Sequence, residues 1–115
     1  MKAYFFLRQN GRSPVEEYLR TISDMRQFAA IQTLIKRFIQ AEGQLSRPHA
    51  AHVEGKIWEL RTRFGNRVFY CIFDGGSLIL LDGYTKKRDR IEERVLEKIR
   101  GLYQEYSMTK KQKPY

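Results

Sequence analysis

The stretch "IWELRTRFGNRVFY", residues 57–70, brings one carboxylate among several guanidinium groups. If it is extended, alternation puts Glu59, Arg61 and Arg63 on one face with Ile57, and Trp58 and Leu60 on the other. Arg67 follows a turn-forming "FGN" and would then sit across from that face on the neighbouring strand. Arginine forks match phosphate or carboxylate oxygens in pairs, so this group suits a nucleic-acid backbone or a carboxylate-rich protein segment. Cutting RNA without a metal needs a base for the 2′-hydroxyl, cations for the charge gathering on phosphorus, and an acid for the leaving 5′-oxygen. Glu59 could supply the base; it could equally be a simple ion-pair partner of Arg61.

A second basic group lies in "YTKKRDRIEERV", where Lys86, Lys87, Arg88 and Arg90 fall within five positions. Cations at a helix N-terminus oppose its dipole, so a purely structural start would favour acidic residues there. Residues 56–90 hold eight Lys or Arg against four Asp or Glu, and the whole chain carries a formal charge of +9, which favours a polyanionic partner. Other chemistries have less to stand on. His49 and His52 form an HxxH pair with no third ligand beside it, and the single Cys71 allows neither an intramolecular disulfide nor a cysteine zinc site. Glycine-rich phosphate loops and nucleophile elbows are absent, and neither metal nor cofactor is expected.

The elements that must carry these residues are readable from pattern. "KAYFFL" is apolar and aromatic and predicts a first strand closed by "RQNGR". "SPVEEYL" has Ser13 as N-cap, Pro14 at the first helical position and Glu16 three residues after the cap, a capping box. A fresh cap at Ser23 or Asp24 opens a longer helix to about Glu42, with Phe28, Ile31, Leu34, Ile35, Phe38 and Ile39 at helical spacing and Gly43 to end it. "GQLSRPHAAHVEG" reads as a polar connector. "KIWELRTR", "RVFYCIF" and "LILLDGY" then predict a three-strand meander, the last strand apolar on both faces until Asp82. A final helix runs from about Asp89, itself a candidate cap, to Tyr106, with Ile91, Val95, Leu96, Ile99, Leu102 and Tyr103 in one stripe.

The expected fold is α+β: strand, two helices, three-strand meander, helix, with a mainly antiparallel sheet and the helices packed on one face. A chain of 115 residues suits one domain, here 1–106, followed by a basic flexible tail, 107–115. The apolar run before Arg8 is too short for a signal-peptide core or a membrane span, so a cytoplasmic protein is expected.

These residues and their order resemble the RelE/ParE superfamily of bacterial toxins, and most closely its HigB-like, phage-derived branch. The resemblance rests on "IWELRTRFGNRVFYCIF" followed by "LILLDGYTKKRDRIEERVLEKI". It implies the toxin of a type II toxin–antitoxin pair, an endoribonuclease that cuts translated mRNA in the A site of the 70S ribosome. A cognate antitoxin, of helix-turn-helix type, is the implied partner. Carried over position by position, Glu59, Arg61, Arg67 and Arg88 are the implied catalytic residues and Lys87 an implied RNA contact; Lys56, Arg63, Tyr84, Lys86 and Arg90 are further expected RNA contacts. The C-terminal tyrosine or histidine that many RelE-like nucleases use as proton donor or base-stacking group has no counterpart at residues 91–94; Tyr84 is the nearest aromatic candidate upstream, and Tyr103, Tyr106 and Tyr115 lie downstream on the helix or its tail. ParE-like relatives share the fold but inhibit gyrase without cleavage, and a phage-derived nucleic-acid-binding accessory protein is a further alternative.

Overall fold

The computed structural model describes residues 1–73, 75–87 and 90–115. The chain runs β1 (Ala3–Phe6), α1 (Pro14–Arg20), α2 (Met25–Gln40), β2 (Ala50–Glu54), β3 (Ile57–Arg61), β4 (Asn66–Phe73), β5 (Ser77–Thr85), α3 (Glu93–Thr109) and β6 (Gln112–Pro114). The strands form one sheet in the order β2-β3-β4-β5-β1-β6, antiparallel except where β1 lies parallel to β5. The mixed α+β architecture is the one expected, and it is consistent with a RelE-like fold.

Both early helices begin where the sequence places them. The Ser13 hydroxyl accepts from the Glu16 backbone N–H at 3.1 Å, with Pro14 in the first turn. The Glu16 carboxylate pairs with Lys113 of β6, so the cap borrows only half of the box. Asp24 caps α2 through the Arg26 N–H at 2.8 Å.

Two apolar layers flank the sheet. Phe5, Leu60, Val68, Tyr70, Leu78 and Leu80 face α1 and α2, packing on Val15, Leu19, Ile31, Leu34, Ile35 and Phe38. Phe6, Ile57, Phe69, Cys71, Ile79 and Leu81 face α3, packing on Ile99, Leu102 and Tyr106. The helices are thus divided between the faces, where the sequence stacks them on one. The reason is visible in β5: Leu78 and Leu80 point one way and Ile79 and Leu81 the other, and all four need cover.

The connector contains a strand the periodicity did not announce. Ala50–Glu54 pairs with β3, Ala50 opposite Leu60 and Ala51 opposite Glu59, which makes the meander four strands. Alanine has low strand preference, so "AAHVE" carries a weak signal, yet small side chains fit where Ala50 and Ala51 are buried. Residues 107–115, expected as a flexible tail, continue α3 to Thr109 and form β6 against β1, with Phe5 opposite Lys113. Tyr115 packs its ring on Phe5 and donates its hydroxyl to Gln32.

Helix α3 starts later than the sequence suggests. Its N-cap is Glu92, and Glu93 occupies the first turn, as the helix dipole favours. Lys86, Lys87 and Arg90 therefore precede the helix instead of opposing its dipole. Arg88 and the proposed cap Asp89 lie outside the described residues.

Candidate nucleic-acid interface

The register of β3, β4 and β5 assembles the site. Glu59 lies opposite Phe69, Arg61 opposite Arg67, and Arg67 opposite Tyr84, so these side chains share the α3-facing side at one end of the sheet. Alternation within β3 predicts this face, and Leu60 in the α2-facing layer confirms its complement.

Glu59 and Arg67 are each only 6% exposed, an unusual depth for charged groups. Glu59 Oε1 lies 3.5 Å from Arg67 Nε and 3.6 Å from Arg61 Nε. Neither approach makes a good hydrogen bond. Glu59 Oε2 and Arg67 Nε are both buried without a hydrogen-bond partner, although an Arg67 terminal nitrogen donates to the Asn66 carbonyl at 3.2 Å. Burial raises the Glu59 carboxyl above its ordinary range, against the opposing pull of Arg67, Arg61, Lys86 and Arg47 in that order. Leaving two buried polar atoms without a hydrogen bond is costly, which sets this pair apart from a satisfied structural ion pair.

Tyr84 stands across from Arg67 on β5. Its ring stacks on Phe69 with centroids 6.1 Å apart and planes 15° from parallel. Burial, then the charge of Glu92, raises its hydroxyl above the ordinary tyrosine value, so it stays protonated at neutral pH. The other tyrosines that the sequence offers are placed elsewhere. Tyr103 packs on Phe73, Tyr106 donates to Gln112, and Tyr115 is bound to Gln32.

Lys86 is held by the β3–β4 turn. Its backbone N–H donates to the Gly65 carbonyl at 2.8 Å, and Gly65 adopts φ +90°. A Cβ on Gly65 would stand 2.8 Å from the Lys86 carbonyl oxygen, so the close approach requires glycine here. Behind the turn is a buried polar network that sequence pattern does not reveal. The Asn66 amide, fully buried, donates to Tyr18 at 3.0 Å and Gln27 at 3.1 Å, and its oxygen accepts from Thr62 at 2.6 Å. Tyr18 also bonds Thr85 at 2.9 Å. Asn66 reads as a turn residue in sequence; its partners come from both early helices, and no local spacing announces them.

The remaining sequence-predicted positions divide. Lys87 and Arg90 are exposed. Arg63 lies in the β3–β4 turn, beyond the strand alternation, with its guanidinium 4.9 Å from the centre of the Phe64 ring. Lys56 sits in the β2–β3 turn, at the opposite end of β3 from Arg61, so the structure does not bring it to the site. Arg88 lies outside the described residues. His52 is bonded to the Gly55 carbonyl at 2.8 Å and packed edge-on to Trp58, and no cluster suited to a metal occurs among the described residues.

Residues 15–104, most of the chain, match the family described as phage derived protein Gp49-like (DUF891). The chain belongs to this family. Gp49-like proteins are counted among the RelE/HigB-like toxins of toxin–antitoxin systems, and membership of a toxin family implies an antitoxin partner. No match is found among curated proteins. The matched span of this Gp49-like protein contains Glu59, Arg61, Arg67, Tyr84 and Lys86. No helix among its described residues is long and apolar enough to cross a membrane.

Proposed function

We propose that this Gp49-like protein is a ribosome-dependent mRNA endonuclease, the HigB-like toxin of its pair, acting in the cytoplasm on translated messages in the A site. The observation that carries the proposal is the buried Glu59 carboxylate beside Arg61 and Arg67, with Glu59 Oε2 and Arg67 Nε making no hydrogen bond. A carboxylate held above its ordinary range is a better base near neutral pH than an exposed one.

In the proposed reaction Glu59 takes the proton of a 2′-hydroxyl and O2′ attacks the adjacent phosphorus. The bond from phosphorus to the 5′-oxygen breaks, leaving a 2′,3′-cyclic phosphate and a 5′-hydroxyl end. Arg67 and Arg61 stabilise the negative charge on the pentavalent phosphorus. The Tyr84 hydroxyl gives its proton to the departing 5′-oxygen and regains one from water. Lys86, Lys87, Arg88 and Arg90 hold the flanking backbone, and the ribosome supplies much of the substrate geometry. An antitoxin of helix-turn-helix type that covers this basic face would silence it.

A gyrase inhibitor gains nothing from a buried, poorly bonded carboxylate, so the cleft favours cleavage over that alternative. Mapping mRNA ends after brief induction, with and without active ribosomes, tests the proposal. New 5′-hydroxyl ends confined to translated messages are expected. Intact messages beside a growth arrest, with loss of supercoiling activity, would sink it in favour of gyrase inhibition.

A further inference from the structure

Resting on the proposed nuclease function, we infer that Arg47 is the outer anchor of a single-stranded RNA track that crosses one end of the sheet from β2 to β5. Arg47 lies in the turn before β2, where His49 and Ala50 donate their backbone N–H groups to the Ser46 carbonyl. This turn is fastened to the site, because the Arg61 N–H donates to the His49 carbonyl at 2.8 Å and Ala50 lies opposite Leu60. Arg47 therefore sits at the same sheet end as Arg61, Arg67 and Tyr84. Its charge reaches the Glu59 carboxyl, as does that of Lys86 from the far side.

The cations follow the strand order. Arg47 precedes β2, Arg61 ends β3, Arg67 opens β4 and Lys86 follows β5. Neighbouring strands are about 4.8 Å apart, so the row spans about 14 Å, enough for a short extended run of nucleotides lying across the strands. The two central arginines are committed to Glu59, whereas Arg47, Lys86 and Lys87 take part in no ion pair among the described residues. Free cations thus flank the reacting centre on both sides, the arrangement that holds a phosphate backbone in register. Arg47 fell in the polar connector of the sequence and carried no signal of its own.

The test is single-turnover cleavage of a defined message on programmed ribosomes, with toxin concentration and salt varied. Arg47→Ala is expected to raise the half-saturating concentration about tenfold. The maximal rate should stay within about twofold of wild type, because the outer contact does not change in the transition state. The salt dependence should fall by about one phosphate contact. Arg47→Lys should recover most of the loss, since an outer phosphate anchor acts chiefly through its charge, which lysine keeps. Wild-type half-saturation and salt dependence in Arg47→Ala, beside an inactive Glu59→Gln, would overturn the track and leave the nuclease standing. A lower maximal rate with unchanged half-saturation would also overturn it. No cleavage by wild type on any translated message would bring down the nuclease function and the track together.

Discussion

Glu54 and Glu59 belong to the two strands of one hairpin, and each meets arginine, yet the two clusters behave in opposite ways. Glu54, on the solvent side, receives Arg100 through two hydrogen bonds, 2.6 Å and 2.8 Å, and Arg100 also reaches Glu93 at 3.0 Å. Arg100 holds the Glu54 carboxyl below its ordinary range. Glu59 is buried, stands 3.5 Å or more from its arginines, keeps one oxygen unpartnered, and has its carboxyl pushed up. The exposed cluster is satisfied and ties β2 to α3. The buried one is held apart and unsatisfied by strands whose other contacts are well packed. Residue type alone does not separate these two pairs; burial and unused hydrogen-bonding capacity do.

Neutralising the buried carboxylate should break that contrast most severely. Glu59→Gln is expected to lower cleavage about 10²–10⁴-fold, the usual worth of a general base, while the domain keeps its circular dichroism spectrum. Arg67→Ala should cost about 10²–10³-fold in rate. It should also destabilise the fold by about 3–5 kcal/mol in urea titrations, because it strands Glu59 without its nearest cation. Gly65→Ala tests the support of the cleft. The Cβ clash with the Lys86 carbonyl and the positive φ should cost about 1–3 kcal/mol, and cleavage should fall with the displaced Lys86 wall. Glu54→Gln is the control at the other cluster. Removing this exposed pair should leave the urea midpoint close to that of wild type and cleavage at the wild-type level.

The same contrast fixes the sign of the pH dependence. The Glu59 and Asp82 carboxyls are both raised by burial, Asp82 despite its 3.2 Å pair with Lys98. Their contribution to stability is complete below the unfolded carboxylate values and is lost as pH rises through the raised folded values. Glu54 has the opposite shift, so its contribution is lost as pH falls. The stability that wild type holds over Glu59→Gln in urea titrations should therefore fall as pH rises across the acidic range, and the stability it holds over Glu54→Gln should grow.

How much of this was legible in the sequence depended on whether the information was local. The Ser13 and Asp24 caps, the α2 stripe and the alternation that puts Glu59 and Arg61 on one face are read from neighbours within a few residues. The position of Arg67 followed from one turn, and its register opposite Arg61 is the one a short hairpin gives. What stayed hidden depends on distant packing. Strand β2 is alanine-rich and gains its identity only from β3, and β6 exists because β1 offers an edge. The burial that raises the Glu59 carboxyl comes from the layer under α3, and the Asn66 network closes over partners 39 and 48 residues away. The turn that carries Arg47 comes to the Arg61 end of the sheet only because β2 pairs with β3. Lys56 misled for the converse reason, since nearness to β3 in sequence placed it at the wrong end of that strand.

The central claim is that the carboxylate held up by burial between two arginines is the base that cuts RNA. It is tested most directly by the pH profile of single-turnover cleavage on programmed ribosomes. The rate of the wild-type protein should rise with pH through an inflection above the ordinary glutamate range, and Glu59→Gln should lose both the rate and the inflection. Cleavage by Glu59→Gln at the wild-type rate, with the same profile, would contradict it.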